Sequence, residues 1–135
     1  MSYSINLEKA AKRHFCAAET LNTTIRRDVA GYLYGIAAEC AIKALMRKSG
    51  IVQSSPTAKA SGDPYYAHFP DLKTLLLNRC QGRNSQVLQR FVSDSRFMQN
   101  WDIKMRYAPP NEITNGNVDK WRLQAKEAIQ KMLGK

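Results

Sequence analysis

The sequence predicts an all-α protein built from five helices, with little or no β-strand. Apolar residues recur every three or four positions in five separate stretches, which is the spacing of one buried helix face. The alternating pattern typical of a half-buried strand is visible only in the short stretch around Ile103 and is soon followed by prolines. With 135 residues and 44% hydrophobic content, residues 1–135 are expected to form a single globular domain.

The longest predicted helix covers residues 24–48, and the rest of the chain is organised around it. Two neighbouring apolar stripes run along this helix, so two of its faces are expected to be buried. Gly31 and Gly35 lie one turn apart within it. A glycine costs a helix about 1 kcal/mol relative to alanine, so the pair indicates close packing against neighbouring helices. Gly50 is expected to end the helix.

Four shorter helices complete the prediction. The first covers residues 6–21, and the third begins at His68 to Asp71, where Pro70 suits the first helical turn, and stops near Cys80. A fourth helix is predicted from a cap at Asn84 to about residue 98. The last helix covers residues 118–133, with a single apolar stripe along it.

Two stretches are predicted to be irregular. Residues 51–67 mix serine, glycine, proline and lysine without periodicity and are expected to form a surface loop. Tyr65 and Tyr66 at its end either touch a ligand or, as is more usual, pack the loop onto the core. Residues 100–117 are predicted to form an extended or single-turn segment, because Pro109 and Pro110 end any regular structure there. Asn115 and the glycine after it are a turn signal.

The chain is strongly basic, with a formal net charge of +10. Such a charge favours anionic partners, namely nucleic acid, the phosphate of a nucleotide or an acidic protein. The 21 basic residues are spread over the chain rather than gathered in one block. Two interpretations therefore remain open, a functional basic surface and a surface whose charge serves solubility alone.

The cysteines and histidines indicate neither a metal site nor a cofactor. Cys16, Cys40 and Cys80 are far apart, as expected of reduced thiols packed as small apolar groups. Neither His14 nor His68 has a cysteine at ligand spacing. The amino terminus carries charges where a signal peptide needs an apolar core, and the sequence contains no uninterrupted apolar run long enough to span a membrane. We therefore expect a cytoplasmic protein without a membrane segment.

Three motifs occur in order along the chain. The central helix carries Ala-x-x-x-x-Gly-x-Ala-x-Glu-x-x-x-Lys-Ala-Leu between Ala30 and Leu45. Next comes His68, followed by Asp71-Leu72 and Leu75-Leu76, and then Trp101-x-x-x-x-Arg106-Tyr107 ahead of the last amphipathic helix. Taken together, over residues 7–133, these motifs resemble the HEPN family of helical domains.

The resemblance implies an up-and-down bundle of four to five helices that commonly forms a homodimer. It also implies a place beside a nucleotidyltransferase, in a toxin–antitoxin pair, or in another defence or RNA-processing system. Many members are metal-independent ribonucleases that use an arginine followed, after four to six residues, by a histidine. Neither His14 nor His68 follows an arginine at this spacing. Lys9 precedes His14 at the right distance, but lysine lacks the fork with which arginine grips phosphate. We therefore expect no catalytic residues.

The sequence predicts a polar ligand-binding pocket. In it Arg106 and Lys43 hold phosphate, Glu39 orients Arg106, and Trp101 or Tyr107 stacks on a base. The alternative is a buried structural ion pair between Glu39 and Arg106, whose loss on one side would cost about 3–5 kcal/mol. The full candidate set is Glu39, Lys43, His68, Arg106, Tyr107, Tyr34 and Trp101.

Three functions follow as hypotheses. The first is a dimeric, non-catalytic HEPN-like module that binds RNA or a nucleotide, or partners a nucleotidyltransferase or an antitoxin. The second is a metal-independent endoribonuclease toxin with an atypical active site, in which Arg106, His68 or His14 carries the chemistry. The third is a structural adaptor whose basic surface meets an acidic protein.

Overall fold

The computed structural model describes residues 3–51, 63–77, 79 and 85–135. Within these residues the chain forms five α-helices and no β-strand, which confirms the predicted all-α class. Short 3-10 helices at Pro64–Tyr66, Ile103–Tyr107 and Pro110–Glu112 join them. The α-helices are α1 (Leu7–Leu21), α2 (Arg27–Lys48), α3 (Asp71–Leu77), α4 (Gln86–Ser93) and α5 (Asn115–Met132).

The central helix α2 packs mainly against α1 on one side and α5 on the other. A short connection joins α1 to α2, and Glu19 near the end of α1 meets Tyr34 in the first half of α2, so the two helices are antiparallel. Helix α5 runs parallel to α2. Gly31 lies against Val118 near the start of α5, while Lys48 at the end of α2 donates a hydrogen bond to the carbonyl of Met132.

Small side chains bring these helices close together. Six alanines of α1 and α2 are fully buried. A Cβ atom added to Gly31 would lie 2.9 Å from the Val118 side chain, which confirms the predicted close approach of a helix at that position. At Gly35 the close neighbour is instead the ring of Trp101, from outside the helices. The buried alanines are Ala11, Ala18, Ala30, Ala37, Ala38 and Ala41.

Helix α2 is also long and apolar enough to cross a membrane, judged by length and composition alone. Within its most apolar stretch of 18 residues, 67% is buried inside the fold. Burial against the neighbouring helices accounts for this apolar composition, because the central helix of a bundle must be apolar on several faces.

The predicted fourth helix is too long. In the structure, α4 ends at Ser93. The backbone after it forms turns, with positive φ angles at Met98 and Asn100. Lys73 of α3 helps to determine where α4 ends, since its Nζ atom donates to the carbonyl oxygens of Asp94 and Phe97. Those interactions hold the backbone after α4 in a turn.

Several other boundaries differ from the sequence prediction. Helix α2 begins at Arg27 rather than at residue 24, after a turn in which the Thr24 hydroxyl accepts from the Arg26 amide. The predicted turn at Asn115 is wrong, because that residue already lies in α5, which Thr114 caps by accepting from the amide of Asn117. Residues 100–117 are predicted to be extended or to form a single turn, and the structure has two short 3-10 helices there, Ile103–Tyr107 and Pro110–Glu112.

The predicted surface loop lies mostly outside the described residues, which omit 52–62. At its end, Tyr65 folds back and donates its hydroxyl to the carbonyl of Ile51, at 2.5 Å. Gly50 has the predicted helix-ending conformation, with φ of +80°. The predicted end of α3 near Cys80 also lies outside the described residues.

Candidate functional site

Glu39 is the buried carboxylate at the middle of α2, with 3% of its surface exposed. Its Oε2 atom lies 2.9 Å from Nδ1 of His68, and its Oε1 accepts the backbone N–H of Phe69 at 2.8 Å. Burial raises the pKa of Glu39, while the hydrogen bond from His68 and the charge of Lys43 oppose that rise. Glu39 therefore fixes the chain where it enters α3.

The predicted pair of Glu39 and Arg106 is wrong. The residues just before α3 take both carboxylate oxygens of Glu39. Arg106 lies on the outside of the 3-10 helix, fully exposed, near the hydroxyl of Tyr32. Its guanidinium carbon is 5.0 Å from the centroid of the Tyr107 ring. The structural ion pair proposed as the alternative to a ligand pocket is therefore absent as well.

Trp101 belongs to the core rather than to an open pocket. Only 1% of its surface is exposed, and its Nε1 donates to the carbonyl of Gly31 at 3.1 Å. Its ring fills the space left by Gly35 and stacks with Tyr32 at a centroid distance of 5.9 Å. The protein covers the ring almost completely, so Trp101 does not offer a face to a nucleobase.

Tyr34 points to a different part of the molecule. It is fully buried, and its hydroxyl donates to Glu19 of α1 at 2.5 Å. Arg122 of α5 donates to both oxygens of the same carboxylate, at 2.6 and 3.2 Å. The three side chains connect α1, α2 and α5. Their role is structural, and the separation of 103 residues between Glu19 and Arg122 gave no local signal for it.

Lys43 lies one helical turn after Glu39 and is half-buried. Burial lowers the pKa of Lys43, while the negative charge of Glu39 opposes that effect. Of the predicted site residues, Glu39, Lys43 and His68 thus form one group, in which Glu39 contacts His68 directly and interacts electrostatically with Lys43.

Arg106 and Tyr107 form a second group, on the surface. We call these two residues, with Tyr32, the Arg106 surface. Tyr107 is 78% exposed. A series of ring contacts connects this surface to the Glu39 group, since Tyr32 stacks on Trp101 and Trp101 makes a T-shaped contact with Phe69, with the ring centroids 6.1 Å apart.

Sequence reasoning left Tyr32 out of the site, although helical spacing places it next to Gly35 and Glu39. Tyr32 is the residue that joins the buried Trp101 to the exposed Arg106. Its spacing was a usable signal, because Tyr32 lies one turn before Gly35 and two turns before Glu39, near the same side of the helix.

The two histidines have different surroundings. The His68 side chain is 45% exposed, so the carboxylate of Glu39 orients a ring that solvent still reaches. His14 of α1 is half-buried, and burial together with the charge of Arg13 lowers its pKa. His68 is thus the histidine whose position is set by a buried acid.

Metal ligands do not converge in the described part of the chain. No group of three or more His, Cys, Asp or Glu side chains there has an arrangement that holds a metal ion. Cys16 and Cys40 are free thiols, the first exposed and the second half-buried. Burial raises the pKa of the Cys40 thiol, which favours its protonated, unreactive form.

Comparison of the chain with protein-family models, with curated proteins and with solved structures finds no match.

Proposed function

We propose that this protein is a non-catalytic module that binds RNA or a nucleotide through the Arg106 surface. The observation that carries the proposal is the exposed pair of Arg106 and Tyr107, in which a guanidinium lies 5.0 Å from the centre of an aromatic ring. Arginine binds phosphate through charge-assisted hydrogen bonds, and an exposed tyrosine ring is a platform for a base. The two parts of a nucleotide therefore find partners on adjacent residues.

The charge of the chain supports the same proposal. A net charge of +10 attracts a polyanion and speeds its association at low salt. Arg106 and Lys104 lie on one exposed turn, and His68 is partly exposed before α3. A single-stranded RNA fits this combination better than an isolated phosphate, because the aromatic ring adds a contact that only a base can use.

The HEPN-like architecture belongs to this proposal. It is supported by the order of elements, in which a first helix leads to a long α2 carrying Glu39, and α5 follows the turn that carries Arg106. The proposal also includes a homodimer. It further includes a cytoplasmic role beside a nucleotidyltransferase, in a toxin–antitoxin pair or in another defence or RNA-processing system. Analytical ultracentrifugation of the purified chain tests the dimer.

Binding of a fluorescein-labelled single-stranded RNA, followed by anisotropy at several salt concentrations, tests the central proposal. We expect Arg106→Ala to weaken binding and to reduce the slope of affinity against salt by about 1, as for one lost phosphate contact. Tyr107→Ala is expected to cost about 1–3 kcal/mol of binding free energy through lost stacking.

Arg90→Ala is the matched control, because it removes the same charge from an exposed position on α4. Equal losses for the Arg106 and Arg90 variants would show that the RNA senses net charge alone. Absence of RNA binding by the wild-type chain, even at low salt, would refute the proposal.

A second candidate function is RNA cleavage without a metal ion. It is favoured by the contact between Glu39 and His68, because a buried carboxylate that holds Nδ1 fixes the ring for acid–base work at its other nitrogen. Incubation of RNA with the protein in EDTA tests it. Cleavage that His68→Gln abolishes and Arg90→Ala preserves would establish it, whereas intact RNA at micromolar protein would exclude it.

A further inference from the structure

A cleft of about 160 Å³ opens between α4 and α5. Its apolar side is formed by Val87, Phe91 and Phe97. The two phenylalanine residues are at least nine-tenths buried, with ring centroids 4.9 Å apart. An engineered apolar cavity of about 150 Å³ is large enough to bind benzene. The cleft therefore has room for one aromatic ring.

The segment that carries Phe97 has no regular secondary structure, yet side chains from two helices hold it in place. Lys73 of α3 donates to the carbonyls of Asp94 and Phe97, at 2.6 and 2.9 Å. From α5, Gln124 accepts the amide of Met98 and donates to the carbonyl of Arg96, each at 2.8 Å. The cleft is thus formed before any ligand arrives, which lowers the cost of binding.

Charged side chains of both signs surround the apolar part. Arg90 and Lys131 supply two cations, and Asp94 and Glu127 supply two carboxylates. No described carboxylate lies within ion-pair distance of Arg90 or Lys131. Oδ1 of Asp94 accepts both the backbone N–H of Arg96, at 2.9 Å, and its Nε, at 3.3 Å. No described cation lies within ion-pair distance of Glu127. The rim therefore offers both charges to a ligand that carries both.

We propose that this cleft binds a free aromatic amino acid. The ring of the ligand contacts Val87 and the parts of Phe91 and Phe97 that remain exposed in the cleft. Its carboxylate faces Arg90 and Lys131, and its ammonium group faces Glu127 and Asp94. An aromatic amine or an aromatic acid satisfies only one sign of the rim. This binding activity is separate from RNA binding at the Arg106 surface and does not depend on it.

Saturation-transfer NMR and calorimetry of the full chain with L-phenylalanine test the proposal. The comparison ligands are phenethylamine, which lacks the carboxylate, 3-phenylpropanoate, which lacks the ammonium group, and L-alanine, which lacks the ring. We expect phenylalanine to bind with a dissociation constant of roughly 1 mM or below. Each truncated aromatic ligand is expected to bind about threefold more weakly, as fits the loss of one exposed charge pair. L-alanine is expected not to bind.

Variants locate the site. Val87→Trp fills the cleft and is expected to abolish phenylalanine binding, whereas Val29→Trp, the same change at a partly exposed position on α2, is expected to preserve it. Lys131→Gln, at the rim, should weaken phenylalanine but not phenethylamine. Should Val87→Trp fail to fold, ligand-induced amide shifts in the wild-type protein must include Phe97 and Glu127.

Three outcomes would overturn the proposal. They are the absence of phenylalanine binding at millimolar concentration, equal affinity for phenylalanine and both truncated aromatic ligands, and amide shifts confined to residues outside the cleft.

Discussion

Replacement of Gly35 by alanine tests how the core is packed. A Cβ atom at this position would lie 1.9 Å from Cε2 and 2.0 Å from Nε1 of Trp101, whereas ordinary contact begins near 3.4 Å. The ring would have to move by about 1.5 Å, the difference between 3.4 and 1.9 Å. Trp101 has little freedom to move, since its Nε1 donates a hydrogen bond to the carbonyl of Gly31 and Tyr32 stacks on its ring.

The expected cost combines three effects. Overpacking a core costs about 1–3 kcal/mol. Separating the buried indole N–H from its carbonyl adds about 1–3 kcal/mol. The higher helix propensity of alanine returns about 1 kcal/mol. The net loss is about 3 kcal/mol, a large part of the roughly 5–15 kcal/mol that stabilises a domain.

Urea unfolding followed by circular dichroism measures this loss. Gly116→Ala is the matched control, because its Cβ meets no atom within 4 Å in the first turn of α5, and we expect it to stabilise the fold by about 0.5 kcal/mol. Gly31→Ala should fall between the two, since its closest contact is a valine methyl at 2.9 Å. A Gly35→Ala variant as stable as the wild type would refute the packing of Trp101 on α2.

Three further perturbations test the polar contacts. Glu39→Ala leaves the amide of Phe69 without its acceptor and is expected to cost about 1–3 kcal/mol of stability, measured by urea unfolding. Glu39→Gln is expected to cost less, because its amide oxygen still accepts one hydrogen bond. Equal stability of the alanine variant and the wild type would contradict this role. Tyr34→Phe removes the buried hydroxyl that binds Glu19 and should cost about 1 kcal/mol, whereas Tyr107→Phe, at an exposed ring, should change stability little. The hydrogen bond from Arg122 lowers the pKa of Glu19 from its ordinary value of 4.5. The ionised carboxylate therefore stabilises the fold fully above pH 4.5, and this contribution is lost as the pH falls through the lowered pKa of the folded state. Because the Glu19 and Arg122 side chains are about one-third exposed, the stability difference between wild type and Glu19→Gln should be about 0.5–1 kcal/mol at pH 7. This difference should shrink below pH 4.5. A difference that stays constant down to pH 2 would contradict a stabilising role for the ionised Glu19.

The helices were predictable because their signal is local. Apolar spacing and the helix-ending Gly50 act over one or two turns, so they can be read without knowing what the helix packs against. The end of α4 was not predictable in this way. It depends on Lys73, which reaches the carbonyl of Asp94 from 21 residues earlier in the chain.

The candidate site shows the same division. The sequence by itself determined that Glu39, on the central helix, requires polar partners, because a buried carboxylate must be hydrogen-bonded or lose its charge. Only the tertiary structure decided that those partners are His68 and the Phe69 amide and that Arg106 stays in solvent. The reason is geometric: residue type specifies what a buried group must bind, whereas the packing of segments distant in the chain sets which partner lies within reach, here His68, 29 residues from Glu39.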